Sequence, residues 1–364
     1  MKRILLIAGT RPNFIKLAPL YHRLKAQGIH ELRICHTGQH FDFSMSDVFW
    51  KLLELPAPDF MLDCSGPGVS AIIGKTVLAL DKVFGENKFD LTIVFGDVNA
   101  TVAGAIVSAQ HRVKLMHVEA GLRSFDRNMP EEINRVLTDH ISDYLMVSEP
   151  SGMINLEREG IGKDKVHFAG NIMIESLIKT RPSWERMDVS ELLVDQSPYI
   201  VATFHRPENV DELKTLEQTI FLLNNLSEEY KIIFPIHPRT MQRLKEFDLF
   251  DKLERNKLII ITPALDYFKF LKLVAGAVAV ITDSGGIQEE TSFLNIPCIT
   301  IRNNTERPVT LTEGTNILAS LTNGDLNNRI GAHIRASAKK NYHQIERWDD
   351  QVSQRIAEVI NEAN

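Results

Sequence analysis

A Gly-rich turn in the second half of the chain has the residue types that bind phosphate. An apolar, β-branched run leads into Thr-Asp-Ser284-Gly285-Gly286, and a pattern typical of a helix follows. Glycines at a strand-to-helix turn let a ligand approach the backbone, and the free N–H groups of the helix attract an anion. Glu290 lies about one turn into that helix, where its carboxylate could accept hydrogen bonds from a ribose. Short glycine motifs also occur in turns without a ligand, so the motif alone leaves both interpretations open.

Positively charged residues occupy loop or helix-start positions near several predicted strands. They are Arg11, Lys16, Arg206, Arg239 and Arg307. With the Ser-Gly-Gly turn they could neutralise a diphosphate. A guanidinium group binds two phosphate oxygens at once, in a bidentate contact, and an ammonium group acts as a point charge. Any one of them taken singly is more often a solvated surface cation. Their recurrence at strand ends of a chain with a net charge of −6 favours a local phosphate site.

Candidate acids and bases lie in both halves of the chain. Asp97 and Glu119 each follow a buried-strand pattern, so we expect both to face a cleft. Glu131 follows Pro130 at a helix start, where its charge could simply stabilise the helix. Neighbouring carboxylates raise one another's proton affinity, so that one can act as an acid while another acts as a base. His205 is a further candidate acid, or a hydrogen-bond donor to phosphate, although a single histidine at a strand end is more often structural.

The motifs of several cofactor-dependent classes are missing from the sequence. It has no Asp-x-Asp motif, no Gly-x-Gly-x-x-Gly after the first strand and no Walker A motif. His117-Val-Glu119 could contribute two metal ligands, but the spacing places no third one. We therefore predict no metal and no cofactor, and a nicotinamide enzyme is disfavoured.

Composition limits the remaining classes. A chain of 364 residues with 44% hydrophobic and 24% charged residues is expected to form about two globular domains. Its acidic balance gives no support to nucleic-acid binding. Cys35, Cys64 and Cys298 are too few for a disulfide framework. No segment is long enough to span a membrane and the first apolar run is too short for a signal peptide, so we predict a soluble, cytoplasmic protein.

Strand-like and helix-like segments alternate along the chain, which predicts an α/β protein with two Rossmann-like, doubly wound parallel-sheet domains. The strand candidates are 3–8, 31–36, 91–95, 114–118, 144–147, 166–169, 199–203, 231–235, 258–262, 277–281 and 297–301. A polar stretch with prolines, 179–198, separates the two series. We predict a first domain over 1–175, which carries the carboxylates, and a nucleotide-binding domain over 176–364. A final amphipathic helix over 347–360 could pack back on the first domain.

The predicted strand ends and adjoining segments carry an ordered set of specific motifs. They are Gly9-Thr-Arg-Pro-Asn-Phe-Ile-Lys16, Thr37-Gly-Gln-His40, Phe95-Gly-Asp97, His117-Val-Glu-Ala-Gly-Leu-Arg123, Pro130-Glu-Glu-Ile-Asn-Arg135, Gly170-Asn171, His205-Arg206, Thr282-Asp-Ser-Gly-Gly-Ile-Gln-Glu-Glu290 and Thr305-Glu-Arg-Pro308. Together they resemble the non-hydrolysing UDP-N-acetylglucosamine 2-epimerase family. The resemblance implies the glycosyltransferase-B-like fold, with the active site between two domains. It also implies a homodimer that acts on a UDP-sugar in polysaccharide biosynthesis.

The reaction implied by the resemblance is an epimerisation at C2 of the sugar. UDP leaves by anti elimination, 2-acetamidoglucal is the intermediate, and UDP adds back after a proton reaches the other face of C2. UDP-N-acetylmannosamine results. Cations near the diphosphate would stabilise the charge that develops as the C1–O bond breaks, and carboxylates near the sugar would move the proton.

The resemblance also implies roles for individual residues. Asp97, Glu119 and Glu131 fall where the family keeps its catalytic carboxylates, and we place His205 with them. The expected substrate-binding residues are Arg11, Lys16, Arg135, His237, Phe270, Ser284, Gly285, Gly286, Glu290 and Arg307. In this set the Ser-Gly-Gly turn binds phosphate, Glu290 contacts the ribose, and the segment ending at Phe270 holds uracil.

Departures from the family pattern leave the sugar open. Asn13 stands where glutamate is common, and the segments 205–211 and 302–309 resemble a subgroup that includes epimerases of UDP-linked diacetamido-uronic acids. The groups that the substrate carries at C3 and C6 are therefore left open, between those of N-acetylglucosamine and those of a diacetamido-uronic acid. The segment 10–15 lacks the pattern that usually begins hydrolysing epimerases, which favours the non-hydrolysing reaction. A retaining glycosyltransferase is the competing class.

Overall fold

The structure is a computed structural model that describes residues 1–38, 50–193, 197–322, 325–337 and 344–363. The chain forms two compact units: unit 1 comprises 1–180 with 346–364, and unit 2 comprises 181–345. Each unit contains a parallel sheet with helices between its strands, so the predicted pair of doubly wound α/β domains is confirmed. Gln39 and His40, from one of the family motifs, lie outside the described residues.

Unit 1 contains a seven-stranded sheet with the order β3-β2-β1-β4-β5-β6-β7. Its elements are β1 (Arg3–Ala8), α1 (Arg11–Gln27), β2 (Glu31–His36), β3 (Phe60–Met61), α2 (Val69–Glu86), β4 (Leu91–Phe95), α3 (Asn99–Gln110), β5 (Lys114–Ala120), α4 (Pro130–Ile141), β6 (Tyr144–Val147), α5 (Pro150–Arg158), β7 (Val166–Phe168), α6 (Ile172–Lys179) and the C-terminal helix (Val352–Glu362). Every strand pair is parallel.

Unit 2 contains a six-stranded sheet with the order β10-β9-β8-β11-β12-β13. Its elements are α7 (Arg181–Trp184), β8 (Tyr199–Thr203), α8 (Pro207–Val210), α9 (Leu213–Leu226), β9 (Lys231–Ile236), α10 (Pro238–Glu246), α11 (Phe250–Glu254), β10 (Ile259–Pro263), α12 (Tyr267–Gly276), β11 (Ala279–Thr282), α13 (Gly285–Leu294), β12 (Cys298–Ile301), α14 (Val309–Thr312), β13 (Asn316–Ala319) and α15 (Leu326–Ser337). These pairs are also parallel.

The strand order of each sheet reverses beside the first strand of the unit. The reversal lies between β1 and β4 in unit 1, and between β8 and β11 in unit 2. Ligands of doubly wound sheets bind at such a point, outside the carboxyl ends of the strands, because the connections on its two sides run to opposite faces. The turns after these four strands carry four of the nine motifs found in the sequence, so the topology places those four where a ligand is expected.

Burial explains why the strands could be located from sequence. Central strands such as β4 are buried at every residue and rich in Ile, Val, Leu and Phe, as parallel strands covered on both faces must be. The predicted strands are found with ends that differ by two residues at most. The prediction lacks β3, whose two residues carry too little pattern, and β13, which begins with a polar asparagine and is only partly buried in its middle. None of the described helices combines the length and apolar content needed to cross a bilayer.

The end of the chain returns to unit 1 and packs on it. Trp348 is 1% exposed, and its indole N–H donates to the Ser148 carbonyl over 3.3 Å. The buried Glu175 carboxylate accepts hydrogen bonds from the backbone N–H and the hydroxyl of Ser353, near the start of the C-terminal helix. The helix begins at Val352 and not at the expected residue 347, because the chain turns before it.

Gly170 provides a test of this packing. Its φ is +93°, and a Cβ atom there would lie 2.1 Å from the Arg347 carbonyl oxygen. Gly160 has a φ of +78° but has nothing within 4 Å of the same position. Gly160→Ala should therefore lower the free energy of unfolding by about 1 kcal/mol, and Gly170→Ala by about 3 kcal/mol or more, because backbone must also move. Urea unfolding midpoints of the two variants test this difference, and equal midpoints would contradict the described packing.

Candidate active site

Four charged residues come together at the carboxyl end of the unit 1 sheet. We call Lys16, Asp97, Glu119 and Arg135 the buried ion cluster. Lys16 Nζ pairs with Glu119 Oε2, and Arg135 Nη2 lies 2.6 Å from Asp97 Oδ2 and 3.1 Å from Glu119 Oε1. Arg135 Nη1 also donates to the Glu119 carbonyl. The side chain of Asp97 is 22% exposed and the other three are buried, so Asp97 is the member that solvent or a ligand can reach.

The backbone at Glu119 is shaped to bring its carboxylate into the cluster. The β5–β6 register shifts between Val118 and Ala120, which makes Glu119 a bulge residue with a φ of +74°. A bulge redirects a side chain, and left-handed backbone at a glutamate stores strain that the surroundings must offset. The ion pairs with Lys16 and Arg135 supply that constraint.

The turn after β4 leaves room for the Lys16 ammonium group. Gly96 has a φ of +63°, and a Cβ atom there would lie 3.2 Å from Lys16 Nζ. Asn13, 1% exposed, joins this turn to the one after β1. Its side-chain oxygen accepts from the backbone N–H groups of Gly9 and Thr10, and its amide N–H donates to the Phe95 carbonyl over 2.9 Å. Asn13 thus sets the spacing between the two turns at the strand-order reversal.

A second buried network lies behind the cluster. His117 Nδ1 is 2.6 Å from Asp139 Oδ1, and its Nε2 is 2.7 Å from the Gly96 carbonyl oxygen. Asp139 also pairs with Arg123 at 2.7 Å. Burial alone raises the pKa of Asp139, but His117 and Arg123 outweigh it and hold the pKa below its usual range. Both ring nitrogens of His117 are occupied, so a metal at His117 and Glu119 is not supported. The described residues contain no group of three or more potential metal ligands.

The adjacent glutamates at the start of α4 differ in burial. Glu131 is exposed, whereas Glu132 is 4% exposed. The Glu132 carboxylate accepts from the backbone N–H groups of Ser124 and Phe125 at 2.7 and 3.2 Å, and from the Ser124 hydroxyl at 2.9 Å. Glu132 therefore fixes the loop between β5 and α4. Glu131 lies outside the buried ion cluster, and its catalytic role stays a prediction. Arg11, the first residue of α1, is partly exposed.

The Ser-Gly-Gly turn of unit 2 has the geometry expected of an anion site. Ser284 is the extended N-cap residue of α13, and the helix begins at Gly285. Ser284, Gly285 and Gly286 are all partly exposed. A Cβ atom at Gly285 would lie 2.7 Å from Arg307 Nη1, so glycine there lets a guanidinium group approach the turn. The helix N-terminus and this cation favour the same negative ligand.

Arg307 belongs to a group of paired charges beside the turn. Its Nε lies 3.0 Å from Glu289 Oε2, and its Nη1 lies 3.4 Å from Glu306 Oε2. Arg302 is 3.1 Å, and Arg206 4.0 Å, from Glu306. Burial alone raises the pKa of Glu306, but Arg307 and Arg302 outweigh it and lower the pKa to about 2. With Glu208, 3.7 Å from Arg206, three guanidinium groups and three carboxylates form a balanced set of charges beside the Ser-Gly-Gly turn.

Two histidines follow strands on the same edge of unit 2. His205 lies after β8, with Nδ1 2.8 Å from Asp283 Oδ1 and a side chain that is 40% exposed. His237 is the exposed N-cap residue of α10, and its ring accepts from the Arg239 N–H over 3.2 Å. The two ring centroids are 5.5 Å apart. The structure thus brings together the two histidines that the sequence placed at separate strand ends.

Glu290 is buried and lies against a residue that the sequence did not single out. The Tyr267 hydroxyl donates to Glu290 Oε1 over 2.7 Å. Burial raises the pKa of Glu290 to about 7, although the bond from Tyr267 acts in the opposite direction. Phe270, one turn after Tyr267 on α12, is partly buried and packs on the hydrophobic core of unit 2.

Several residues of these networks have roles that sequence reasoning missed. Asp283 stands inside a quoted motif and Tyr267 in the segment that ends at Phe270, but the sequence indicates no separate role for either residue. Arg123 ends a quoted motif, whereas Asp139 is an ordinary helix residue in the sequence, and their pairing is visible only in the fold. The available signal was proximity to a motif: Asp283 directly precedes Ser284.

Comparisons with known proteins agree with this geometry. The family model described as UDP-N-acetylglucosamine 2-epimerase matches residues 22–361. A relative from Methanocaldococcus jannaschii, named UDP-N-acetylglucosamine 2-epimerase, is 41% identical over 93% of this chain and 94% of its own. A relative from Pseudomonas aeruginosa, named UDP-2,3-diacetamido-2,3-dideoxy-D-glucuronate 2-epimerase, is 35% identical over 98% of this chain and 99% of its own.

A solved structure agrees along the whole chain. It is the M. jannaschii UDP-GlcNAc 2-epimerase in complex with UDP-GlcNAc and UDP, with a TM-score of 0.90 and 38% identity. The match covers 99% of this chain and 100% of the other. The chain therefore belongs to the UDP-N-acetylglucosamine 2-epimerase family.

Proposed function

We propose that the protein converts UDP-N-acetylglucosamine to UDP-N-acetylmannosamine by eliminating UDP and adding it back. The observation that carries the proposal is the buried ion cluster at the strand-order reversal of unit 1, in a chain of this family. It gathers two carboxylates that could act on a sugar and fixes them with two cations. The relative solved with UDP-GlcNAc and UDP supports the choice of nucleotide sugar.

The chemistry requires the C1–O bond to break as the C2 hydrogen leaves. C2 is not beside a carbonyl, so a base alone removes its hydrogen slowly. In the proposed elimination a carboxylate takes the C2 proton, the C1=C2 double bond forms, and the electron pair of the C1–O bond departs with the β-phosphate of UDP. In the re-addition a proton reaches the opposite face of C2 and the phosphate oxygen attacks C1. Two faces need two acid/base groups, for which Asp97 and Glu119, with Glu131 as a third, are the candidates.

Unit 2 supplies the groups that suit the UDP leaving group. The α13 N-terminus after Ser284 and the guanidinium of Arg307 favour the diphosphate, whose negative charge grows as the C1–O bond breaks. His205 lies on the same edge as a further donor. Glu290 is proposed to bind the ribose, and Phe270 to contact uracil. The reaction is redox-neutral and consumes no second substrate, which supports the prediction of no cofactor.

A second sugar is favoured by one specific observation. The P. aeruginosa relative named for a diacetamido-uronate sugar matches 98% of this chain, although its identity of 35% is below the 41% of the archaeal UDP-N-acetylglucosamine relative. The same C2 chemistry would then act on a UDP-sugar with an acetamido group at C3 and a carboxylate at C6. The homodimer, the cytoplasmic location and the role in polysaccharide biosynthesis remain predictions.

Incubation of the purified protein with UDP-N-acetylglucosamine alone tests the proposal. Proton NMR should show UDP-N-acetylmannosamine signals growing to a constant ratio. Asp97→Asn is the matched control, since it keeps the size of the side chain and should lose about 10²-fold or more in turnover. Appearance of free N-acetylmannosamine and UDP would instead indicate hydrolysis. No reaction with this sugar, together with turnover of a diacetamido-uronate sugar, would select the second candidate, and a requirement for an acceptor would select a glycosyltransferase.

The raised pKa of Glu290 predicts how binding depends on pH. At about 7 this pKa leaves the carboxyl group of the free protein largely protonated at pH 6 and largely ionised at pH 8. An ionised carboxylate accepts ribose hydroxyl bonds best, so affinity should rise by about tenfold across this range. The ligand for this measurement is UDP-N-acetylglucosamine, because its diphosphate diester does not titrate between pH 6 and pH 8. Its affinity is measured by calorimetry with the Asp97→Asn variant.

Two variants provide the controls for that measurement. Glu290→Gln should flatten the pH dependence, because the amide does not titrate. Glu217→Gln, at an exposed glutamate on α9, should keep the dependence of the parent. A flat profile in the parent protein, or the same slope after Glu290→Gln, would remove Glu290 from the ribose site.

A further inference from the structure

Asp283 is a buried carboxylate that accepts hydrogen bonds on both oxygens. It directly follows β11 and is 0% exposed. Oδ1 lies 2.8 Å from His205 Nδ1, and Oδ2 accepts from the backbone N–H groups of His205 and Arg206 at 3.0 and 2.9 Å. Asn209 Nδ2 donates to the same oxygen over 3.2 Å. Asp283 therefore joins the end of β11 to the turn after β8, across the strand-order reversal of unit 2.

This geometry fixes which nitrogen of His205 carries a hydrogen. Burial alone raises the pKa of Asp283, but the bonds from His205 and Arg206 outweigh it and hold the pKa below its usual range. The carboxylate is ionised and can only accept, so Nδ1 must be protonated. Nε2, on the opposite side of the ring, then points away from Asp283 in a side chain that is 40% exposed.

Other charged groups near His205 do not take over this contact. The centroid of the His237 ring lies 5.5 Å from that of His205. The guanidinium of the adjacent Arg206 is directed to Glu208 at 3.7 Å and to Glu306 at 4.0 Å. Within the part of the chain that the structure describes, Asp283 is thus the carboxylate in hydrogen-bond contact with the imidazole.

We propose that Asp283 is a positioning residue of the reaction, which holds the Nδ1–H of His205 so that Nε2 is the ring nitrogen offered to the substrate. The inference rests on the proposed function, since His205 acts there on the UDP-sugar. Asp283 itself precedes the phosphate-binding turn and is fully buried, so it acts through His205 and does not meet the ligand. In a free neutral imidazole the hydrogen moves between the two nitrogens; a carboxylate on one side removes that freedom.

A purely structural role for Asp283 makes different predictions. Its bonds to the backbone of 205 and 206 and to Asn209 would then be the important ones, and the tautomer of the histidine would not matter. Asn209 separates the two cases. Asn209→Ala removes a partner of Asp283, and a link to the Ile301 carbonyl, without touching the imidazole.

The experiment combines nitrogen NMR with kinetics on the full-length protein. Long-range ¹H–¹⁵N spectra of histidine-labelled protein distinguish a protonated Nδ1 from a protonated Nε2, and His205→Asn identifies the signals. In the wild type we expect the neutral ring of His205 to carry its hydrogen on Nδ1. In Asp283→Asn the amide N–H₂ can donate to Nδ1, so the hydrogen should shift to Nε2 and kcat should fall by about 10²-fold or more. The dissociation constant of UDP should change by less than about threefold in the same variant. Asn209→Ala should keep the wild-type tautomer and a kcat within about threefold of the wild type.

Each outcome decides the proposal. A wild-type ring protonated on Nε2, or a kcat of Asp283→Asn close to that of the wild type, would overturn it. Equal losses in Asn209→Ala and Asp283→Asn would assign Asp283 a structural role in the loop. If the wild type does not turn over the UDP-sugar at all, the proposed function fails, but the tautomer of His205 can still be measured in the UDP-bound protein. If Asp283→Asn does not fold, the wild-type spectrum alone still tests the contact.

Discussion

The site of unit 1 depends on the pairing of the buried Glu119 with Lys16 and Arg135. Removing such a carboxylate from water is unfavourable unless cations and hydrogen-bond donors surround it. The pairing draws α1, β5 and α4 to one point at the carboxyl end of the sheet. Two backbone features allow this pairing. The bulge at Glu119 directs the carboxylate inward, and Gly96 leaves space for the ammonium group of Lys16. Replacing one partner would leave an uncompensated buried charge, so the members of the cluster should act as a unit.

Unit 2 has a second group of paired charges near the same topological position. Both sheets reverse their strand order beside their first strand, and in both the turns there carry sequence motifs with candidate site residues. In unit 1 each carboxylate is held by cations. In unit 2 Glu306 pairs with the guanidinium groups of Arg302 and Arg307, and Arg307 also approaches Gly285 of the Ser-Gly-Gly turn. Carboxylates suit the proton chemistry of a sugar and cations suit a departing diphosphate, so one architecture provides for both needs of the proposed reaction.

The sequence predicted the sheets well and the site only in part. Runs such as Leu91–Phe95 are buried at every position, so their composition reveals them. The ends of these runs also indicated where the chain turns, and the candidate residues were chosen from the motifs at those turns. Contacts between distant elements could not be read in this way: Tyr267 meets Glu290 from another helix. Nor does sequence tell which of the adjacent Glu131 and Glu132 is buried, because a small rotation of the helix decides it. The assigned roles of these residues stay predictions.

The central claim is that carboxylates of unit 1 exchange a proton at C2 of the sugar. The most direct test of this claim is the fate of the C2 hydrogen. The wild-type protein is incubated with UDP-N-acetylglucosamine in deuterium oxide, and C2 of the recovered UDP-sugars is examined by NMR and mass spectrometry. The account predicts that UDP-N-acetylmannosamine carries deuterium at C2, because the proton delivered to the second face comes from a group that exchanges with solvent. Full retention of the original hydrogen at C2 of the product would contradict the use of separate acid/base groups on the two faces.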